Sequence, residues 1–108
     1  MATIRGETRW YRFAAPDRRR PVLILTRDSA LEFLGKVTVT PITSTIQDIP
    51  AEVVLGAADR MPRDCAVDMD RLQNVAKAKI GALVARSARR RWARFAPQLL
   101  FALGFHRA

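Results

Sequence analysis

The sequence is poor in the residues on which many enzyme active sites depend. Its 108 residues include one cysteine, Cys65, and one histidine, His106. A single cysteine excludes a disulfide within the chain and a cysteine-rich metal site, and it is typical of a reducing compartment. In the segment DCAVDMD, Cys65 is better explained as a small buried thiol than as a nucleophile. The position of His106, third from the last residue, disfavours a histidine-based catalytic site.

Recognisable metal-binding and nucleotide-binding motifs are also missing. The sequence contains no glycine-rich phosphate loop, no zinc-ligand spacing and no calcium-binding loop. Asp68 and Asp70 stand two residues apart, so on a strand they would share one face and could bind a metal. Two carboxylates alone are weak grounds for a metal, and we favour an ion pair between one of them and a nearby arginine. The sequence therefore predicts an activity without a metal or another cofactor.

Long apolar segments are absent from the chain. No stretch approaches the roughly 20 apolar residues that a membrane-spanning helix needs. The first ten residues, MATIRGETRW, lack the apolar core of a secretory signal. We therefore expect a cytoplasmic protein with no membrane partner. The length favours one domain over residues 1–108, which is enough to bury roughly two thirds of the unfolded surface.

The last third of the chain has no acidic residue. The whole chain has 19 Lys and Arg against 10 Asp and Glu, a net charge of +9. Residues 1–70 contain ten basic and ten acidic residues, whereas residues 71–108 contain nine basic residues and none that is acidic. Arginine outnumbers lysine 16 to 3, which suits the recognition of phosphate groups, although a GC-rich genome would explain the bias equally well. A surface formed by these basic residues would also attract an acidic partner chain.

Alternating and continuous apolar patterns predict many short strands. The predicted strands cover residues 8–13, 21–26, 36–43, 51–55, 65–75, which a bend could divide in two, and 79–86. Pro41 indicates an edge or a bulge in the third of them. A short helix is predicted over residues 27–35, with Asp28 as its cap and Gly35 as its end. Polar segments predict a turn over residues 14–19 and a surface loop over 56–64.

A final helix is predicted over residues 88–104, with Ser87 as its cap and Gly104 as its end. Its apolar face would comprise Trp92, Phe95, Leu99 and Leu103, at spacings of three and four. Pro97 lies inside this helix and should kink or break it. Short strands followed by one helix predict a mainly β fold, a small curved sheet or partly open barrel with a terminal helix.

Two aromatic residues on the first strand, Trp10 and Tyr11, require an interpretation as well. Alternation on a strand more often places such residues in a core than against a nucleic-acid base. We expect at least one of them to pack inside the barrel.

The arginines at 89, 90, 91 and 94 are predicted to form a solvated face that RNA could use.

The segment RRRPVLILT, residues 18–26, places the densest positive charge beside an apolar strand. It is either a solvated basic loop or a phosphate clamp. Pro21 stiffens the backbone beside Arg20, so the guanidinium of Arg20 could be held in place and offer a fixed pair of donors to phosphate oxygens. Three hydroxyl residues, Thr43, Ser44 and Thr45, follow the strand at 36–43 and could donate further hydrogen bonds.

Five segments, in this order, resemble the MazF/PemK toxins of bacterial toxin–antitoxin systems. They are RGETRWYRF, RRPVLILTRD, VTVTPITST, PRDCAVDMDRL and LFALGF. The resemblance runs from Arg5 to Phe105. It implies an SH3-like barrel with a C-terminal helix, a symmetric homodimer, and a metal-independent endoribonuclease that acts on single-stranded RNA. It also implies an acidic, MazE-like antitoxin that fills the RNA groove.

The resemblance also implies roles for individual residues. Arg20 and Thr43 match the catalytic arginine and threonine of the family, and Asp70 matches an acidic residue that some members use. The remaining candidates are expected to support catalysis or bind substrate: Arg18, Arg19, Ser44, Thr45 and Arg71. Family members often have a longer loop between the first two strands, so the short segment AAPDRRR would leave a more open groove.

RNA cleavage without a metal uses the 2′-hydroxyl of the substrate as nucleophile. The enzyme must stabilise the charge that develops on the phosphate, accept one proton and supply another. The products would be a 2′,3′-cyclic phosphate and a 5′-hydroxyl. Arginine is too weak an acid to serve easily as the base, so Asp70 would either accept the proton or orient Arg20.

Two other functions remain open on the sequence alone. One is that of the CcdB branch of the same fold, which binds DNA gyrase and has no nuclease activity. That branch lacks the arginine and threonine pair and ends in Trp-Gly-Ile, whereas this chain ends in GFHRA. The other is a non-catalytic barrel that binds RNA in a salt-dependent manner. Arg20 and Thr43 favour the ribonuclease.

Overall fold

The fold is given by a computed structural model, which describes residues 5–13, 19–86 and 92–105, without the side chain of Trp92. Within these ranges the chain forms strands, two α-helices and three single-turn 3-10 helices. The strands are β1 (Glu7–Arg12), β2 (Arg19–Ile24), β3 (Lys36–Thr43), β4 (Glu52–Leu55), β5 (Cys65–Asp68), β6 (Gln73–Ala76) and β7 (Ile80–Arg86). The helices are α1 (Asp28–Leu31) and α2 (Trp92–Ala102), and the 3-10 helices are Ala57–Asp59, Met69–Arg71 and Lys77–Lys79.

The strands form one antiparallel arrangement in the order β4-β5-β3-β2-β1-β7, and β6 pairs with the first half of β3. β3 is the centre of this sheet, because Lys36 to Val39 pair with β6 and Ile42 and Thr43 pair with β5. Pro41 lies between these two sets of pairs, so of the predicted alternatives, an edge or a bulge, the edge is wrong. A missing backbone N–H is tolerated there because the strand changes partner at that point. The sheet is open but barrel-like, which confirms the predicted mainly β fold with a C-terminal helix.

The apolar run in β2 is buried on both faces of the sheet, as the absence of polar alternation predicted. Leu23 and Leu25 belong to one core cluster, together with Ile42 and the helix residue Phe95. Val22 and Ile24 belong to a second cluster on the other face. Successive residues of a strand point to opposite faces, so this one strand contributes to both cores.

The short helix is shorter than predicted. α1 ends at Leu31, four residues before Gly35, and its first residue is Asp28 itself. Asp28 does not cap the helix, since its carboxylate accepts a 2.7 Å hydrogen bond from the backbone N–H of Arg5. Only Ala30 and Leu31 are buried in this helix, and the apolar residues that follow it, Phe33 and Leu34, are exposed.

The segment 65–75 forms two strands, in agreement with the predicted bend. β5 ends at Asp68, a 3-10 turn follows, and β6 begins at Gln73. The loop over 56–64 is less exposed than predicted, because Asp59 and Met61 are buried. Most of the predicted turn at 14–19 lies outside the described residues.

Helix α2 packs on the first cluster through Phe95 and Leu99. It continues across Pro97, and the predicted break is wrong because the residues on either side of the proline are anchored in the core. Leu103 was assigned to the same face but is 50% exposed. The helix ends with a Schellman arrangement: Gly104 has φ +80°, its N–H donates to Phe101 O, and the Phe105 N–H donates to Leu100 O. Ser87 lies outside the described residues. In the part of the chain that is described, neither helix is long and apolar enough to cross a membrane.

Candidate functional site

Arg20 and Thr43 lie together at one end of the β2–β3 pair. The register between β2 and β3 ends with the pair Val22 and Pro41, and Arg20 and Thr43 lie just beyond it on the two strands. Both residues line the same two grooves. Arg20 is exposed and Thr43 half-buried, so their polar groups can reach a ligand. The two residues that the resemblance identifies as catalytic are therefore neighbours.

One groove, called here the polar groove, has a volume of about 440 Å³. Besides Arg20 and Thr43, its polar lining comprises Thr45, Gln47, Glu52, Asp68, Arg71 and Gln73. Phe13, Pro41 and Leu72 complete its wall. Arginines and hydroxyls beside carboxylates provide both donors for a phosphate and acceptors for a proton.

The second groove, called here the Trp10 groove, has a volume of about 470 Å³ and shares Arg20, Thr43 and Thr45 with the first. Its other lining residues are largely apolar: Trp10, Pro21, Ile42, Met61, Pro62, Cys65 and Val84, with Ser44 and Arg63. Arg20 and Thr43 thus stand where a polar groove and an apolar groove meet.

The Thr43 hydroxyl is oriented by its own loop. Its Oγ1 accepts a 3.1 Å hydrogen bond from the backbone N–H of Thr45. A threonine hydroxyl has one donor and two acceptor positions. Because the loop uses an acceptor position, the hydroxyl proton stays available for a phosphate oxygen. Ser44 and Thr45 are exposed beside it.

Asp68, and not Asp70, faces the polar groove. Asp68 is buried at the end of β5, its Oδ1 accepts a 2.9 Å hydrogen bond from the Asp70 N–H, and its Oδ2 pairs with Nε of Arg71 at 3.2 Å. Asp70 is exposed on the 3-10 turn. The interpretation that both aspartates share a strand face is wrong because the strand ends at Asp68, whereas the expected ion pair with a nearby arginine is confirmed. The side chain of Arg71 is 70% exposed and so stays accessible.

Glu52 is a site residue that the sequence analysis missed. Its buried carboxylate accepts hydrogen bonds from the backbone N–H groups of Gln47, at 3.1 and 3.2 Å, and Asp48, at 2.8 Å. Asp48 has φ 59°, a conformation that favours asparagine, aspartate and glycine. The carboxylate therefore fixes the loop that brings Thr45 and Gln47 to the groove. Glu52 had no visible signal beyond an acidic residue at the start of an apolar strand.

The two aromatic residues of β1 have different environments. Tyr11 packs against the second core cluster and makes an edge-on contact with Phe13, with ring centroids 4.8 Å apart. Tyr11 is half-buried and covers the edge of that cluster, so packing of one of the pair inside the barrel stays a prediction. Trp10 instead lines the Trp10 groove, and the guanidinium carbon of Arg19 lies 4.1 Å from the centre of its ring.

The remaining candidates are less exposed to a ligand or lie elsewhere. Burial raises the pKa of the Cys65 thiol, and the Asp59 and Asp64 carboxylates raise it further, so the thiol stays protonated at neutral pH. Arg94, predicted on a solvated face, donates a hydrogen bond to the Val54 carbonyl and faces Asp59 at 3.7 Å. It thus holds α2 against β4. Arg18 and the arginines at 89–91 lie outside the described residues.

A metal site finds no support in the described ranges. Among the described residues, no group of three or more His, Cys, Asp or Glu side chains is placed to hold a metal ion. The carboxylates of the polar groove are instead bound to backbone N–H groups and to Arg71.

Comparisons with known proteins agree on one family. The family described as "PemK-like, MazF-like toxin of type II toxin-antitoxin system" matches residues 4–100. The "Probable endoribonuclease MazF5" of Mycobacterium tuberculosis is 41% identical over 75 residues, which are 68% of this chain and 68% of that protein. The "Probable endoribonuclease MazF2" of the same organism is 35% identical over 83 residues, 76% of this chain and 79% of that protein.

Solved structures give the same fold. The Mycobacterium tuberculosis toxin MazF-mt6 is similar with a TM-score of 0.82 and 26% identity, covering 91% of this chain and 96% of that one. An endoribonuclease in complex with its cognate antitoxin, from Mycobacterial species, gives a TM-score of 0.86 at 20% identity, covering 99% of this chain and 100% of that one. The second likeness bears on the fold alone.

Proposed function

Because the chain belongs to the PemK-like, MazF-like toxins of type II toxin–antitoxin systems, we propose that it is an endoribonuclease that cleaves single-stranded RNA in the cytoplasm and is silenced by an antitoxin. The observation that carries this proposal is that Arg20 and Thr43 both line the two grooves. A phosphate between them would receive donors from a guanidinium and from a hydroxyl.

Cleavage proceeds by attack of the substrate's own 2′-hydroxyl on the adjacent phosphorus. The bond from the 2′ oxygen to phosphorus forms, the bond from phosphorus to the 5′ oxygen breaks, and the departing 5′ oxygen takes up a proton from solvent. Arg20 and Thr43 stabilise the negative charge that builds up on the phosphate oxygens, because fixed donors stabilise developing charge in place of water. The products are a 2′,3′-cyclic phosphate and a 5′-hydroxyl.

The proton of the 2′-hydroxyl needs an acceptor in the polar groove. Among the groove residues that the structure describes, the carboxylates are Glu52 and Asp68. Both oxygens of Glu52 accept hydrogen bonds from the backbone of its loop, whereas Oδ2 of Asp68 is engaged only by the largely exposed side chain of Arg71. We therefore assign the proton to Asp68, in the role that the family resemblance gave to Asp70. Arg71, paired with Asp68, adds positive charge beside the phosphate.

The decisive experiment incubates the pure protein with RNA of mixed sequence in the presence of EDTA and maps the ends of the fragments. We expect cleavage to persist and to leave a 5′-hydroxyl. Loss of cleavage on chelation, restored by Mg²⁺, would contradict the proposed mechanism. Binding of RNA without turnover would indicate a non-catalytic barrel, and inhibition of DNA gyrase without RNA cleavage would indicate the CcdB-like function.

An acidic antitoxin is the partner that the charge distribution favours. Arg20, Arg63 and Arg71 line the two grooves, and the net charge is +9. An acidic peptide lying in these grooves would block RNA and be held by the same cations. Its affinity should fall steeply as salt rises, which titration at several salt concentrations would measure.

A homodimer is proposed as the active form. Apolar side chains at the end of helix α2 are exposed to solvent: Leu100, Leu103 and Phe105. A monomer rarely leaves such a cluster in water. The family resemblance implies a symmetric homodimer, and we assign this exposed apolar surface to its interface.

A further inference from the structure

A buried hydroxyl, that of Thr40, links the strand of Thr43 to the strand of Asp68. Thr40 lies on β3 and is fully buried, and its Oγ1 donates a 2.5 Å hydrogen bond to the backbone carbonyl of Asp68. The two residues are 28 positions apart in the chain. The bond therefore connects the strand that carries a proposed phosphate donor to the strand that carries the proposed proton acceptor.

The surroundings of Thr40 favour an apolar side chain. Thr40 pairs with Leu23 of β2, and Leu23 belongs to the first core cluster, so the side chain of Thr40 faces that cluster. The other buried side chains of β3 are aliphatic. Valine has the shape of threonine without a polar group that needs a partner in a core. Packing alone does not explain a hydroxyl at this position, whereas the bond to Asp68 does.

The bond lies where the pairing between β3 and β5 stops. Ile42 and Val67 are the last paired residues on this side, and the next residue of β3, Pro41, has no N–H with which to extend the pairing. The hydroxyl of Thr40 supplies a donor to the Asp68 carbonyl at this point. The end of β5 is thereby fixed at the residue whose carboxylate faces the polar groove.

The peptide unit between Asp68 and Met69 is held from two sides. Its carbonyl accepts the hydrogen bond from Thr40, and its N–H donates to the carbonyl of Ala51 at 3.0 Å. Loss of the hydroxyl would free one side only. We therefore expect β5 to stay folded while this peptide unit gains freedom to tilt.

A tilt of this peptide unit would move the carboxylate of Asp68. The carboxylate accepts hydrogen bonds from Asp70 N–H and from Nε of Arg71, and both residues belong to the 3-10 turn that starts directly after Asp68. The start of the turn and the direction of the carboxylate thus depend on the same peptide unit. A displacement of about 1 Å in an active site can lower a rate by 10²-fold.

We propose that Thr40 is a positioning residue for RNA cleavage, because its hydroxyl holds the carboxylate of Asp68 where it can accept the proton of the 2′-hydroxyl. This inference rests on the proposed function. Thr40 lines neither groove and takes no part in the chemistry itself. Its contribution to the rate should therefore appear only while the carboxylate of Asp68 is present.

The test is a double-mutant cycle between Thr40 and Asp68, measured as single-turnover cleavage at saturating RNA. Thr40→Val keeps the side-chain shape and removes the hydroxyl, so we expect the rate to fall roughly 10- to 100-fold with RNA affinity unchanged. In the Asp68→Asn background the same change should alter the rate by less than about twofold, because the carboxylate that Thr40 positions is already gone. Thr40→Ser keeps the hydroxyl and should retain most of the wild-type rate.

Thr38 offers a matched control on the same strand. Its Oγ1 bonds to Oδ1 of Asn74 on β6 at 2.7 Å, and it lines neither groove. Thr38→Val therefore removes a hydroxyl bond between strands without affecting Asp68. Its cleavage rate should stay within about twofold of the wild type. Thermal unfolding of both valine variants checks that each is folded at the assay temperature.

Amide exchange reports on the position of Asp68 without RNA. The Asp70 N–H donates to Oδ1 of Asp68 at 2.9 Å, and in Thr40→Val it should exchange faster than in the wild type. The Leu25 N–H, which donates to the Thr38 carbonyl on the other half of β3, should exchange as in the wild type. Faster exchange at both amides would indicate a general loosening of the fold and would overturn the inference.

The outcomes separate the inference from the function on which it rests. Absence of RNA cleavage by the wild type would refute the proposed function, whereas exchange at Asp70 would still decide whether Thr40 holds Asp68. Equal losses from Thr40→Val in both backgrounds, or an equally slow Thr40→Ser, would show that the hydroxyl does not act through Asp68 and would overturn the inference. Unchanged exchange at Asp70 would overturn it as well. If Thr40→Val does not fold, Thr40→Ala, which also removes the hydroxyl, takes its place in each measurement.

Discussion

Asp68 accepts a 3.2 Å hydrogen bond at Oδ2 from Nε of Arg71, in the groove that also contains Thr43. The pair combines a buried carboxylate with a largely exposed guanidinium. Asp68 is thereby held at the edge of the groove, and Arg71 remains free to reach a phosphate.

The first prediction separates Asp68 from Asp70. Asp68→Asn should lower turnover by at least about 10²-fold, the usual contribution of a general base. Asp70→Asn should stay within about twofold, because Asp70 is exposed and lines neither groove. Single-turnover cleavage of one RNA by both variants gives the comparison. The opposite ranking would restore Asp70 as the proton acceptor.

The second prediction concerns the loop that Glu52 holds. Glu52→Gln replaces an acceptor of backbone N–H groups by a side chain that also donates, so at least one of the bonds to Gln47 and Asp48 is lost. We expect faster amide exchange at these two residues and a roughly five- to tenfold loss of cleavage, equivalent to about 1–1.4 kcal/mol. Glu32→Gln, an exposed glutamate outside the grooves, is the control. Unchanged exchange in Glu52→Gln would refute the role.

The third prediction concerns stability. Arg9 Nε and Glu7 Oε1 lie 2.8 Å apart with side chains only 4% and 2% exposed, and Arg9 also donates to the carbonyl of Gly81. Glu7→Gln removes the buried carboxylate that pairs with Arg9 and with Arg86, so the free energy of unfolding should fall by about 3 kcal/mol. Arg12→Gln, exposed on the same strand, should change it by less than about 0.5 kcal/mol. Urea unfolding measures both changes. Equal effects would show that the buried pair contributes no more to stability than an exposed arginine does.

The fourth prediction tests the dimer surface. The double variant Leu103→Lys with Phe105→Lys places charge on side chains that are 50% and 75% exposed, so the monomer should fold normally. In light scattering at micromolar concentration we expect a dimer for the wild type and a monomer for the variant. Phe33→Lys, at an exposed phenylalanine after α1, should remain dimeric. A dimer in the double variant would place the interface elsewhere.

The strands were predictable because their side-chain patterns are local. The run in β2 and the alternation in β3 determine burial on one or two faces, and the order of the segments brought Arg20 and Thr43 to adjacent strands. The end of β5 was not predictable, because it depends on Asp68 accepting the Asp70 N–H and starting a 3-10 turn. The role of Glu52 in the site was not predictable either, because its hydrogen bonds form only when the loop is folded.

The last prediction distinguishes a phosphate clamp from a basic loop within the segment RRR. If the segment is only a solvated loop, alanine at residue 18, 19 or 20 should weaken RNA binding slightly and leave turnover nearly intact. Arg20 differs from Arg19 because it lines both grooves together with Thr43. Losing one fixed donor to developing charge costs about 10²- to 10³-fold in rate.

We therefore expect Arg20→Ala to lose at least 10²-fold in turnover with its melting temperature unchanged, since the side chain is exposed. Arg18→Ala and Arg19→Ala should lose about tenfold or less, through weaker binding that becomes most evident at high salt. Thr43→Val keeps the side-chain shape but removes the hydroxyl, so turnover should fall with little change in RNA affinity. Because a clamp acts on the transition state, the loss in Arg20→Ala should persist at saturating RNA. Turnover of that variant within about threefold of wild type would show that Arg20 is only a solvated charge.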